Sequence, residues 1–436
     1  MDLKMLQPTR PPSFRALKTS IAVVCTLWFS LNGQLSSGDE PTAASPKPDT
    51  IATLIEQLGD PQFATREEAN RRLLEIGAPA LPLLRSAERH ALLETRTRAS
   101  RIRDEIDKVV FENVTKRFIM DGESKQSYGL PAWSQFSLIA GDSRTSKLLF
   151  VMMLRNQLEL AQLVEAASQA KGKPTAAETS TTLAARMSLE AERLRNRSLR
   201  GQLPEVGDTL GLLVACSMFD ESVSIEVNEM ISASLSRGTH VEYFNKPGYD
   251  RCMRALVANW LPKTQATLAN EVLSLAMQRS IPQGAVVARR HLDQSTDYET
   301  RARALQCLAK FGNETDLENV AKLLNDETVI YEFTALRDQG FPRDGIQVAN
   351  EPPPGFKQPV ISDGIKMVVR MSDLALAVCL LLESKDIKAV FPHYEPNELD
   401  GIQFTDIAFA EDDHQQHKQA IAKWKNEHPK FAEKSN

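Results

Sequence analysis

The chain reads as an all-α protein, a right-handed stack of helix pairs behind an N-terminal export segment. Three observations predict this. From residue 50 onward apolar residues recur at i, i+3, i+4 and i+7, and convincing period-two alternation is scarce. A unit of helix, short turn, helix and glycine returns along the chain. Residues 93–99, LETRTRA, reappear as YETRARA at 298–304, and such self-similarity marks units that bury their apolar faces only by stacking.

The first 38 residues have the layout of a secretory signal. Basic Arg10, Arg15 and Lys18 precede an apolar run of 11 residues, Ile21 to Leu31, followed by small and polar residues through Ser36, Ser37 and Gly38. That run is well short of the roughly 20 residues that span a bilayer. Cleavage and release to the periplasm or outside the cell is the expectation, an uncleaved anchor the lesser alternative. Cys25 lacks small residues before it and is not read as a lipid attachment site. Residues 39–49, rich in proline, read as a disordered linker.

Residues 50–118 open the stack. Ile51, Leu54, Ile55 and Leu58 share one helix face, Gly59-Asp60-Pro61 breaks it, and Ala69, Leu73 and Ile76 form the next face. Gly77 suits the end of that helix and Pro79 the first turn of another. Residues 127–292 are expected to continue as less regular helix pairs, with 168–182 as an exposed connection. Over 293–390 the unit is plain again: Ala304, Cys307, Leu308 and Phe311 make a face that Gly312 ends, and Leu317, Val320, Ala321 and Leu324 follow. Leu374, Ala377, Val378 and Leu381 repeat the spacing. The stretch 338–360, carrying Gly340, Pro342, Gly345, Pro352, Pro353, Pro354 and Gly355, reads as a loop insertion. Residues 391–436 read as a capping segment whose last helix, near 413–426, turns Ile421 and Trp424 inward.

Asp60-Pro61, Phe63, Arg66, Ala69, Leu73, Gly77 and Ala80 resemble a HEAT repeat, as do Asp297, Glu299, Arg301, Ala304, Leu308 and Gly312. The resemblance implies an armadillo/HEAT-type α-solenoid in which a turn carboxylate and a helix Arg tie neighbouring units. The mature chain is also similar to secreted HEAT-repeat proteins of planctomycete bacteria. Four stretches carry this: GLPAWSQFSLIAGD (129–142) with LLFVMM (148–153), ALQCLAKFGNETDLENVAKLLND (304–326), SDLALAVCLLL (372–382) and HKQAIAKWKNEHP (417–429). The sequence departs from that pattern at Ser372, where the resemblance implies Arg beside Asp373. It implies export and fold, and no particular activity.

Charge narrows the partners. The chain carries −5, and removing Asp2, Lys4, Arg10, Arg15 and Lys18 with the signal leaves −8. Such an acidic chain has no global attraction for nucleic acid or anionic lipid. Arg96, Arg98, Arg101 and Arg103, and again Arg193, Arg195, Arg197 and Arg200, line helices, but Glu94, Asp104, Glu105, Asp107, Glu190 and Glu192 flank them. Mixed charge of that kind is a solvated helix face rather than a nucleic-acid grip.

Chemistry-bearing motifs are few. There is no G-x-S-x-G, no Walker or dinucleotide glycine loop and no H-E-x-x-H. Cys216, Cys252, Cys307 and Cys379 are far apart, with no C-x-x-C; most read as small buried hydrophobes, although an oxidising compartment would permit a disulfide. Only Trp133, Trp260 and Trp424 remain after cleavage, few for a sugar-stacking platform. The sole histidine cluster is Asp413, His414 and His417, with Asp412 beside it. Two His at i, i+3 share a helix face and a carboxylate could complete a metal site, while the acidic run equally suits a solvated helix N-terminus. The expectation is therefore a non-enzymatic exported scaffold that binds a protein partner, with no cofactor, metal or catalytic residue assigned. An enzyme using a metal near Asp413, His414 and His417 is the alternative.

Overall fold

The computed structural model describes residues 48–122, 127–220, 223–336, 364–397, 401–411 and 414–432. The readings of the signal (1–38), of most of the linker (39–49), of the insertion at 338–360 and of Asp412 and Asp413 lie outside them. The described residues are mostly helical, with 18 α-helices and one small sheet. They fall into two compact units that divide after Leu130.

One seven-residue frame starts a helix three times. In FATREEA (63–69), LETRTRA (93–99) and YETRARA (298–304) the first residue is the first helical one. The residue before each is extended, and the closing Ala69, Ala99 and Ala304 are wholly buried where helices pack. Thr95 and Thr300 are also buried. The opening position lies a turn ahead of that packed face and stays in solvent: Phe63 is 65% exposed, Leu93 69% and Tyr298 44%. At the third copy the Asp297 carboxylate accepts from the amides of Glu299 and Thr300, satisfying donors that a helix start leaves unpaired.

The first unit contains α1 (Pro48–Gln57), α2 (Phe63–Ile76), α3 (Leu81–Ala87) and α4 (Leu93–Met120). Ile51, Leu54 and Ile55 of α1 and Leu58 just after it meet Ala69 and Leu73 of α2, Leu81 and Leu84 of α3, and Ala99, Ile102 and Ile106 of α4 in one core. Gly77 ends α2 with φ +67°, a backbone state that glycine adopts without Cβ strain. At the first turn Arg66 donates to the carbonyls of Asp60 (2.8 Å) and Pro61 (3.0 Å), so the arginine of the frame clamps the Asp-Pro turn before it.

The second unit runs through α5 (Trp133–Ala140), α6 (Arg144–Ala170), α7 (Ala176–Leu199), α8 (Val206–Cys216), α9 (Ile225–Leu235), α10 (Gly238–Asn245), α11 (Tyr249–Trp260), α12 (Ala269–Gln278), α13 (Gly284–Gln294), α14 (Tyr298–Phe311) and α15 (Leu317–Ala321). Residues 168–182 are largely helical, against the expected connection: α6 reaches Ala170 and α7 begins at Ala176, because alanine and glutamate there favour helix without large apolar side chains. Every residue of α8 is buried. Its Gly207 and Gly211 let α6 come close; a Cβ on Gly207 would stand 2.4 Å from the Met152 carbonyl oxygen, and one on Gly211 2.7 Å from Gln157 Cγ.

Beyond α15 the helical text is interrupted. Val329–Leu336 (β1) and Gly364–Arg370 (β2) pair antiparallel, and Phe409–Ala410 (β3) adds on the far side of β2, giving the order β1-β2-β3. This corrects the expectation of helix pairs across 293–390. VIYEFTAL and KMVVR are β-branched and aromatic text, and the 338–360 stretch lies between two paired strands. Helix α16 (Met371–Leu382) follows β2 directly and is almost wholly buried. The chain ends in α17 (His414–Glu427) and α18 (Pro429–Ala432). Ile421 and Trp424 are buried, as their spacing indicates. Among the described residues no helix is long and apolar enough to cross a membrane.

Candidate functional site

A buried polar cluster joins β2, α16 and α17. Asp373, third residue of α16, turns one carboxylate oxygen back to the Arg370 amide at 2.7 Å, closing the helix start. Its other oxygen meets Nδ1 of His417 from α17. Nε2 of the same ring lies 3.5 Å from Ser372 Oγ and 3.6 Å from the Glu327 carboxylate. Ser372, Asp373 and His417 are wholly buried, and Phe409 of β3 closes the ring edge-on at 5.8 Å. Arg370, at the end of β2, reaches Glu327 at 3.4 Å with Nε.

Serine, imidazole and carboxylate in this order have the connectivity of an acyl-transfer triad. Two features of its surroundings differ from such a triad. The serine hydroxyl is closed to solvent. The amides that would form an oxyanion hole at this helix start are committed: Arg370 N to Asp373, Met371 N to the Thr328 carbonyl and Ser372 N to the Asp326 carbonyl, the last two at 2.9 Å. An oxyanion hole needs such donors free and aimed at the reacting atom.

The metal alternative at Asp413, His414 and His417 lies partly outside the described residues. His417 faces the core, with Nδ1 against the Asp373 carboxylate. No group of three or more His, Cys, Asp or Glu among the described residues could hold a metal ion. The inward orientation had a signal in the sequence, because His417 stands four residues before Ile421 and seven before Trp424, on the same helix face.

A second polar centre lies where α6, α7 and α8 meet. Gln157 has non-helical dihedrals (φ −134°, ψ 39°) inside α6, and its amide donates to Glu190 at 2.5 Å and to Asp208 at 3.0 Å. Both carboxylates are buried. Burial favours the neutral form of Glu190, but hydrogen bonds from Arg193 and Gln157 outweigh it and hold the carboxyl below its ordinary range. Arg197 reaches Asp208 at 3.3 Å. Next to this network Thr209 and His240 Nε2 are 2.8 Å apart; burial drives the His240 imidazole down to about 4. Sequence reading missed this centre, since one Gln in a long helix carries no pattern of its own.

Five of the eight arginines in the two rows pair with carboxylates. Arg98 pairs with Glu94 and Glu67, Arg103 with Asp104 and Glu88, Arg193 with Glu190, Arg195 with Glu229, and Arg197 with Asp208. The four cysteines among the described residues are free and buried. Burial pushes the Cys216 and Cys307 thiols up to about 12 and raises Cys379, so none of these three is an activated nucleophile. Comparison with protein-family models, with curated proteins and with solved structures returned no match.

Proposed function

We propose that the chain is an exported HEAT-type α-solenoid that acts as a scaffold for protein–protein interaction, with no chemistry of its own. The reading is supported chiefly by the repeated frame. The same position that buries alanine for helix packing leaves Phe63, Leu93 and Tyr298 in solvent six residues earlier. A large apolar residue kept exposed at one repeat position is what a partner-binding repeat presents, because its burial is left for a second molecule. Export is supported by the basic and apolar layout of residues 10–38 and by the resemblance to secreted planctomycete HEAT-repeat proteins. Absence of catalysis is supported by the closed Ser372 and the committed amides around it.

Crosslinked capture from envelope extract tests this, comparing the wild-type chain with F63S/L93S/Y298S. The expected outcome is a protein species bound by wild type and reduced at least tenfold with the triple variant. Capture that is identical for both chains, or absent from both, would overturn the reading. Mass analysis of the mature N-terminus tests export, with cleavage expected near residue 38.

A further inference from the structure

Among the described residues the sheet ends on an open edge. β1 pairs with β2 along one side only, and the order β1-β2-β3 leaves its other side without a strand among the described residues. β3, at the opposite edge, is two residues long, so it offers little ladder. β1 is eight residues of VIYEFTAL. Natural proteins guard such edges with proline, lysine, shortness or a bulge; β1 has only the last, a register shift between Val329 and Tyr331 that bends its start and leaves Tyr331 onward regular. Its one charge, Glu332, is already matched by Lys366 at 3.2 Å.

We propose that β1 is a homodimer interface, where two copies of this chain join their sheets edge to edge through antiparallel β1–β1 pairing. The strand's sequence selects this occupant and its register. A two-fold axis through an antiparallel pair sets one residue opposite its own copy. Two such registers pair seven residues within the β1 limits: one centred on Glu332, the other on Phe333. The first sets Glu332 against Glu332, and like charges directly opposite destabilise. The second sets Phe333 against Phe333, Glu332 against Thr334 and Tyr331 against Ala335. Aromatic and aliphatic pairs fill the seam and no charge meets its like. The joined sheet has six strands, and each β1 gains partners for the backbone groups that now face outward.

The test uses the purified full chain at about 1 to 100 µM in sedimentation velocity, with F333C and T334C oxidised in parallel. The expected result is a concentration-dependent dimer, with F333C trapped as a disulfide-linked dimer at least tenfold more than T334C or wild type. Self-opposed Cβ atoms lie within reach of a disulfide, and those of Thr334 do not oppose each other in this register. A circular dichroism spectrum matching wild type shows that the variants remain folded. A monomer at 100 µM overturns the proposal. So does a dimer in which Phe333→Cys fails to crosslink above wild type, and so does a monomer that takes up an added strand peptide instead.

Discussion

His417 and Asp373, 44 residues apart in sequence, meet imidazole to carboxylate in a space closed to water. The bond ties the last long helix to the first turn of the helix that follows the sheet. Each partner is unfavourable to bury alone, and together they hold α17 in one register on α16. Removing one partner strands the other, which typically costs about 3 to 5 kcal/mol. Urea titration of H417A and of D373A is expected to show a loss of that order for each. H417A/D373A is expected to fall well short of the sum, because the second truncation removes a group already stranded. Additive losses would refute the coupling.

How much of this was legible in sequence differs along the chain. Ile51, Leu54, Ile55 and Leu58 form a core face as their spacing indicates, because helical periodicity is local and survives any tertiary context. The sheet was not legible. VIYEFTAL alternates poorly, since Glu332 and Thr334 share a face with Ile330, and short, largely apolar runs do not distinguish strand from buried helix; its partner lies beyond the 338–360 stretch. The candidate site hid for another reason. His417, Asp373 and Glu327 come from three separate segments, and nothing local marks residues whose meaning is their meeting.

At Gly207 the backbone of α6 lies close against α8. Gly207→Ala would push a Cβ to 2.4 Å from the Met152 carbonyl oxygen and 2.9 Å from its carbon, both backbone atoms that cannot swing aside. Chemical denaturation is expected to show a loss of about 1 to 3 kcal/mol. Gly238, the first residue of α10, has nothing within 4 Å of the corresponding point. Gly238→Ala is expected to be neutral or to gain up to about 1 kcal/mol through the unfolded chain. Equal effects at the two sites would remove the close-approach explanation.

The buried thiols make a chemical prediction. Thiolate is the reactive form, and burial holds Cys216 and Cys307 near 12 and raises Cys379. Iodoacetamide at pH 8 is expected to leave Cys216, Cys252, Cys307 and Cys379 unmodified in the native chain and to label all four in guanidinium, read by peptide mass. Native labelling of Cys307 within minutes would show that α13 and α14 open far more readily than their packing suggests.

Acid should weaken the second unit through His240. Its folded-state pKa is lowered from 6.5 to about 4, first by burial and against the attraction of Asp208. The unfolded chain therefore binds a proton between those values that the folded chain refuses. Stability contributed by the neutral imidazole is complete above pH 6.5 and is lost as pH falls toward 4, at up to about 1.4 kcal/mol per pH unit. Lowered carboxylates such as Glu190 add a loss of the same sign at lower pH. His240→Gln isolates the histidine: it retains a polar group near Thr209 and cannot titrate. Unfolding free energies at pH 7 and pH 4.5 are expected to differ less for H240Q than for wild type, by on the order of 2 kcal/mol. An unchanged pH dependence would mean that the imidazole is protonated where it lies, with Asp208 rather than burial setting its charge.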